Sequence, residues 1–219
     1  MSRRKSILEV AKKHDFLILE DDPYRHLWFE GPPPASYISL PENDGRVIYL
    51  GSFSKVIAPG VRCGWIVASN WIYTTLHRLR VASTLNLPAL LHQGILEFLQ
   101  TSDFFDHLKK LRKTYSSRRD GLVNALQKHF RDSEFRFEIP RGGFFLWGDM
   151  ADLDDAEAFA KFAVREGGVG IIAGKAFSAD PKKVRNGALR LSFAKVSPEE
   201  AEEGCRRLEL ALSKYRNTT

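Results

Sequence analysis

Cysteine is almost absent. The 219-residue chain has two, Cys63 and Cys205, and no Cys-x-x-Cys pair. They suggest no disulfide framework, and reduced thiols in an intracellular, cytoplasmic protein are the simpler expectation. Also missing is any apolar run near the roughly 18 residues that span a bilayer, and the first residues show no signal-peptide pattern, so a membrane is not expected as a partner. His14, His26, His77, His92, His107 and His129 are scattered without metal-ligand spacing, which argues against a metal site. Charge of one sign is not massed. The formal net charge is +6, with Lys and Arg mixed among Asp and Glu. Blocks such as Arg3-Arg4-Lys5 and Lys109-Lys110 read as solvated helix faces, and nucleic acid is not expected as a partner. There is no internal repeat and no low-complexity segment.

With 43% hydrophobic and 27% charged residues, the chain has room for one large domain or two small ones. Periodicity predicts a helix over Ser2 to His14, with Ile7, Leu8 and Ala11 on one face. A buried strand is expected over Phe16 to Leu19, ending in Glu20-Asp21-Asp22-Pro23-Tyr24. Acids at the carboxyl end of such a strand are suggestive, because open α/β sheets bind ligands there. Further strands are expected over Val47 to Leu50 and Gly64 to Ala68. Asn70 is the expected N-cap of a helix to Thr84, and Pro88 opens another to about Gln100. A long periodic helix from Ser102 to about His129, with Phe105, Leu108, Leu111, Tyr115, Leu122 and Leu126 at helical spacing, is of the kind that bridges two domains. Beyond it come strands over Phe135 to Ile139, Gly143 to Trp147, Val169 to Ile172 and Leu189 to Phe193. Asp154 with Glu157 resembles a capping box for a helix to Glu166, and Ser197-Pro198-Glu199-Glu200 is a second one, opening a last helix to about Tyr215.

The stretch that organises the chain is Val47 to Val67, VIYLGSFSKVIAPGVRCGWIV. It sets one lysine, Lys55, between two apolar runs, with hydroxyls at Ser52 and Ser54 just before it and Arg62 seven residues after it. Burial disfavours a charged ammonium, and a lysine made neutral is a nucleophile fit for Schiff-base chemistry. Each feature taken alone also has a plain reading. Lys55 can be a surface loop lysine, Asp21 and Asp22 can cap a loop, and Tyr24 can be a half-buried aromatic. Arg62 can pair with any carboxylate, and Arg190 in ALRLSF can be an edge-strand cation.

Order and spacing point further. EDDPY, then SFSK with APGVRCGW, then PRGGFFLW, then LRLSF resembles the fold-type I, pyridoxal-phosphate-dependent aminotransferases. The resemblance is to the class I/II branch with the aromatic, kynurenine and 2-aminoadipate enzymes, and it covers nearly the whole chain. It implies an α/β fold: the C-terminal half of the cofactor-binding large domain over residues 1–105, a partial mixed sheet flanked by helices, then a small α+β C-terminal domain over 106–219. It implies transfer of an amino group between an amino acid, aromatic or 2-aminoadipate-like, and a 2-oxo acid. Carried over by motif, Lys55 matches the Schiff-base lysine and general base, and Asp21 the acid that meets the pyridine nitrogen, with Asp22 as the competing carboxylate. Tyr24 matches the tyrosine bonded to the phenolic oxygen, and Ser52 and Arg62 match the phosphate ligands. Arg190 matches the arginine that grips the substrate α-carboxylate; Ser54 is expected to be a loop hydroxyl. Family members are usually homodimers.

Members of the family also carry a long stretch before their equivalent of EDDPY. It brings the rest of the large-domain sheet, a further phosphate-binding helix start, a ring-stacking aromatic and an asparagine. The chain is therefore expected to be the C-terminal portion of such an enzyme, with an exposed apolar sheet edge and with turnover impaired. Two other readings stand beside it. One is the aminotransferase-like sensor domain of winged-helix transcription regulators, against which the PY after EDD counts; the other is a non-catalytic remnant that binds a partner through the exposed half-sheet.

Overall fold

Two short parallel strands anchor the first half of the chain. β1 (Ile18–Asp21) pairs in parallel with β2 (Val47–Ser52), and β2 pairs antiparallel with β3 (Gly64–Val67), in the order β1-β2-β3. The computed structural model describes residues 2–84, 88–131 and 134–218. It divides into two units, one ending at Leu111 and the other beginning at Arg112. Helices α1 (Ser2–Lys13), α2 (Asn70–Thr84), α3 (Ala89–Thr101) and the beginning of α4 (Phe104–His129) belong to the first unit. Among the described residues no helix is long and apolar enough to cross a membrane.

In the first unit the core lies between α1 and the sheet. Leu8, Leu40 and Val47 are buried together, with Ile18, Ala35, Tyr37 and Ile38 packed around them. The expected buried strand at Phe16 to Leu19 is displaced by two residues, and Phe16, Leu17 and Leu19 are all exposed. The buried side chain of β1 is the carboxylate of Glu20. It is satisfied there by Arg4 at 2.8 Å and by the backbone N–H of Tyr37 at 2.8 Å. A buried charge needs such partners. Arg4 is therefore no solvated cation: it also stacks over Tyr37, 4.5 Å from the ring centre. Lys5 of the same block is ion-paired with Glu42.

Capping explains several shifted boundaries. Asn70 is the first residue of α2 rather than its cap. The Ser69 carbonyl takes the N–H groups of Ile72 and Tyr73, while its hydroxyl donates to the Gly45 carbonyl at 2.7 Å. Ser102 closes α3 through its N–H to the Phe98 carbonyl. The cap of α4 falls to Asp103, which accepts from the Asp106 N–H at 2.9 Å.

The second unit is an antiparallel sheet with helices. β4 (Phe135–Phe137), β5 (Phe145–Met150), β6 (Ile172–Ala173) and β7 (Ala188–Ser192) lie in the order β4-β5-β7-β6. Alternation sends Phe135, Leu146, Met150, Leu189 and Leu191 to a buried face. The opposite face leaves Trp147 and Ile172 exposed. β5 begins two residues later than expected, and β6 is reduced to two residues. Helix α5 (Ala156–Phe162) is capped by Asp155, not Asp154: Asp155 accepts from the N–H groups of Glu157 and Ala158. The helix then widens into a π turn over Ala163–Gly167 and ends on Gly168 at φ +65°. The capping box at Ser197 and Glu200 does open α6 (Pro198–Arg216). A partial mixed sheet followed by an α+β unit is the architecture expected from the sequence.

Candidate active site

In the first unit the candidate residues collect at the carboxyl end of the parallel pair. Asp21 is the last residue of β1 and lies opposite Leu50 in register. Ser52, two residues beyond Leu50, ends β2. Side chains two apart on a strand share a face, so Asp21 and Ser52 are directed to the same side. Immediately after Ser52 the chain turns. The Phe53 N–H bonds the Cys63 carbonyl at 3.0 Å, and the N–H groups of Val56 and Ile57 return to the Phe53 carbonyl at 3.2 and 2.8 Å. Lys55 sits in this turn.

Three further contacts fix the turn's shape. The Ser52 hydroxyl accepts from the Ser54 N–H at 3.1 Å and donates to the Cys63 carbonyl at 3.5 Å. His107, in the first turn of α4, donates through Nε2 to the Val56 carbonyl at 2.7 Å. Phe53 packs against Trp65 of β3, with ring centres 4.7 Å apart. Ser54 contributes its backbone N–H to this arrangement, as expected of a loop residue.

Lys55 is half-buried rather than enclosed, and β3 is no buried strand: Gly64, Ile66 and Val67 are exposed. The apolar letters of that run describe a strand whose outer face nothing covers among the described residues. Arg62 lies in the turn before β3, exposed and in the left-handed region at φ 44°, ψ 35°. A non-glycine residue held there is strained by about 1–3 kcal/mol, and such strain gathers at binding sites.

The two acids at the end of β1 differ in their partners. Asp22 is bound to Arg25 at 2.9 Å and closes the turn that follows the strand. Asp21, Lys55 and Arg62 have no ion-pair or hydrogen-bond partner for their side chains among the described residues. Tyr24 is half-buried in the same turn. Nearby, Tyr49 of β2 has its phenol pushed above the usual range, first by burial and then by the negative charge of Asp22.

Arg190 belongs to the second unit. It is half-buried in β7, opposite Trp147 on β5 and Ile172 on β6. Its guanidinium carbon lies over two aromatic rings, 4.0 Å from the centre of Phe145 and 4.1 Å from that of Phe177. The sequence reading did not find either ring. Phe145 stands in the PRGGFFLW motif, where it carries no assigned role, and Phe177 stands in a 3₁₀ turn over Gly174–Phe177 with no periodic signal. Beside them an open groove of about 860 Å³ is lined by Arg136, Arg141, Trp147 and Arg185 among others, and Arg190 is not part of its wall. Both cysteines are unpaired thiols. Burial pushes the Cys205 thiol up to about 12, so it holds no reactive thiolate.

The first unit is thus an α/β half-sheet carrying Asp21 and Lys55 at its carboxyl end, and the second an α+β unit carrying Arg190. The family described as Aminotransferase class I and II matches residues 3–208, and the chain belongs to it. It is 34% identical over 206 residues to aromatic-amino-acid aminotransferase 1 of Thermococcus litoralis, covering 94% of this chain and 48% of that protein. The HTH-type transcriptional regulator NorG of Staphylococcus aureus is also 34% identical, over 198 residues, 90% of this chain and 43% of the regulator. Among solved structures, Pyrococcus horikoshii kynurenine aminotransferase, in complex with PMP, superposes with a TM-score of 0.89 at 32% identity. That match covers 98% of this chain and 52% of the other. The chain thus spans about half the length of the relatives it matches.

Proposed function

We propose that this chain carries the covalent anchor and the carboxylate grip of a pyridoxal-phosphate-dependent aminotransferase acting between an amino acid, aromatic or 2-aminoadipate-like, and a 2-oxo acid. The observation that carries the reading is that, among the described residues, Asp21, Lys55 and Arg62 have no partner for their side chains at and just beyond the carboxyl ends of β1 and β2. Their neighbours Asp22, Glu20 and Arg46 all have ion-pair partners. The donor set fits the cofactor: an amine for its aldehyde, a carboxylate for its ring nitrogen, and a hydroxyl and a guanidinium for its phosphate.

Each residue has a physical task. Lys55 Nζ would hold the cofactor and would be the base placed to take the proton from substrate Cα. Asp21 keeps the ring nitrogen protonated. The chemistry the bound group supplies is an electron sink for the pair released at Cα. Tyr24 donates to the phenolic oxygen. Arg62 offers its planar fork to the phosphate dianion, with the Ser52 hydroxyl beside it. Arg190 pairs with the substrate α-carboxylate and so orients the Cα–H bond.

A second reading has its own support, the equal identity to NorG. In it the same residues bind cofactor and amino acid as a signal without turnover.

The experiment is spectroscopic. Pyridoxal phosphate added to the purified full chain gives a protein-bound absorption band that Lys55→Ala abolishes. No Lys55-dependent band sinks both readings. Release of 2-oxo acid from added amino acid selects the enzyme; a band shift without product selects the sensor.

A further inference from the structure

The Arg190 guanidinium has an unusual setting. Its Cζ lies over two rings, 4.0 Å from the centre of Phe145 and 4.1 Å from that of Phe177. Yet among the described residues no oxygen accepts from it. Two other arginines of this unit that are not exposed are tied by hydrogen bonds: Arg118 donates to the Ala194 carbonyl, and Arg119 donates to Asp120 and to the Pro140 carbonyl. The contacts of the Arg190 guanidinium are with the two rings.

We infer that Phe145 and Phe177 are positioning residues for Arg190, clamping the plane of its guanidinium so that only the N–H edge is offered to a carboxylate. The inference rests on the reading above, in which Arg190 meets the substrate carboxylate. A free arginine side chain has many rotamers to lose when it binds. A hydrogen-bonded brace would restrain it but would use the same donors that the carboxylate needs. Stacking restrains the plane and leaves every N–H available, and it withdraws the faces from water. A lysine at this position has no plane to clamp.

The clamp is itself supported. Phe177 is almost half exposed, at 47%, so burial does not hold it in place. Trp147 meets it edge-on at 5.8 Å and 69°. The turn that carries Phe177 is pinned to the sheet at its start. A Cβ built on Gly174 would come within 2.6 Å of the Ala188 side chain and 2.9 Å of the Trp147 ring. Trp147 in turn lies opposite Arg190 in register. Phe145 stands two residues before Trp147 on the same face of β5, fixed by the strand. The guanidinium is therefore bracketed by one ring set by the sheet and one set by a turn locked onto it.

The test uses isotope-labelled full chain and 3-phenylpropionate, a carboxylate without an amine, so binding is read without turnover. The Arg190 Nε–H signal is assigned by its loss in Arg190→Gln. In the wild-type chain it lies upfield of ordinary arginine signals because of the two ring currents, and it moves on titration. Phe145→Leu and Phe177→Leu are expected to return the signal toward its ordinary position and to weaken the probe about two- to fivefold each. Phe177→Tyr, which keeps a ring, restores both readouts. An ordinary Arg190 shift in the wild-type chain overturns the clamp whether or not any variant folds. So does unchanged affinity in both leucine variants while Arg190→Gln loses the probe, and that result leaves the carboxylate role standing. Equal binding by wild type and Arg190→Gln sinks the carboxylate role itself and the clamp with it.

Discussion

The backbone of Gly51 lies flat against the ring of Trp65: a Cβ at Gly51 would fall 2.2 Å from the Trp65 Cε2 atom. The two residues are opposite each other in the β2–β3 register. Gly51 is the penultimate residue of the strand whose end leads into the Lys55 turn, and Trp65 in turn packs on Phe53. The glycine thus lets one aromatic cover both the strand and the base of the turn.

Gly51→Ala is therefore expected to push Trp65 aside and cost about 1–3 kcal/mol, the usual penalty of overpacking. The change is read as a lower urea midpoint at unaltered slope. Because Trp65 and Phe53 move together, the Lys55-dependent cofactor band should weaken as well. An alanine variant as stable as wild type would show that the ring has another place to go.

Arg62 sets stability against binding. Its left-handed backbone at φ 44° is strained, and glycine adopts that conformation freely. Arg62→Gly is expected to leave the chain as stable as wild type or more stable by up to about 1 kcal/mol. Loss of a charge-assisted contact to phosphate should lower pyridoxal-phosphate affinity about ten- to a hundredfold. Denaturation midpoints and a cofactor titration on the same samples check both halves. A destabilised glycine variant with wild-type affinity would contradict both.

How much of this was legible follows from where each signal resides. The helices, the Ser197 capping box and the two-part architecture were visible because periodicity and capping are local. Strand burial was misjudged wherever tertiary context decides. The apolar run from Phe16 to Leu19 gave no hint that the chain would turn its glutamate inward, since Arg4 and the Tyr37 N–H that donate to Glu20 lie 16 and 17 residues away. β3 looked buried because its letters are apolar, while coverage is a property of neighbours. The charged candidates of the site were named by motif order. The rings around Arg190 were not: Phe145 and Phe177 stand 32 residues apart and meet only through the β5–β7 pairing and the turn after β6. Motif order favoured Asp21 over Asp22 for the cofactor, but the ion pair that occupies Asp22 with Arg25 was not legible.

Acid should loosen α6 through Glu203. Its carboxylate accepts from Arg206 and Arg207, and these contacts hold it down to about 2, from an ordinary 4.5. The folded value lies below the unfolded one, so this contribution is fully present above about pH 4.5 and is lost as pH falls toward 2. Glu203→Gln removes the titration. The difference in urea midpoint between wild type and Glu203→Gln should be constant at neutral pH and close between pH 4.5 and 2. Because the group is exposed, high salt should narrow that gap at every pH. A gap that widens in acid would reverse the sign of the linkage.

The adjacent acids at the end of β1 offer the sharpest separation of structure from chemistry. Asp22 bonds Arg25 at 2.9 Å and Arg25 reaches the Pro34 carbonyl at 3.2 Å, so this carboxylate ties down the loop after the strand. Asp21 has no such duty among the described residues. Asp22→Asn should lower stability by about 0.5–1 kcal/mol and leave the position of the cofactor band unchanged. Asp21→Asn should leave the denaturation midpoint where it is. It should slow any exchange of the substrate Cα proton by orders of magnitude, because a neutral amide does not keep the ring nitrogen protonated. Proton exchange into deuterated solvent, followed by NMR on an added amino acid, reads this step even where no 2-oxo product is released. If the two variants exchange their phenotypes, the acid that serves the cofactor is Asp22, and the Arg25 pair must open when the cofactor binds.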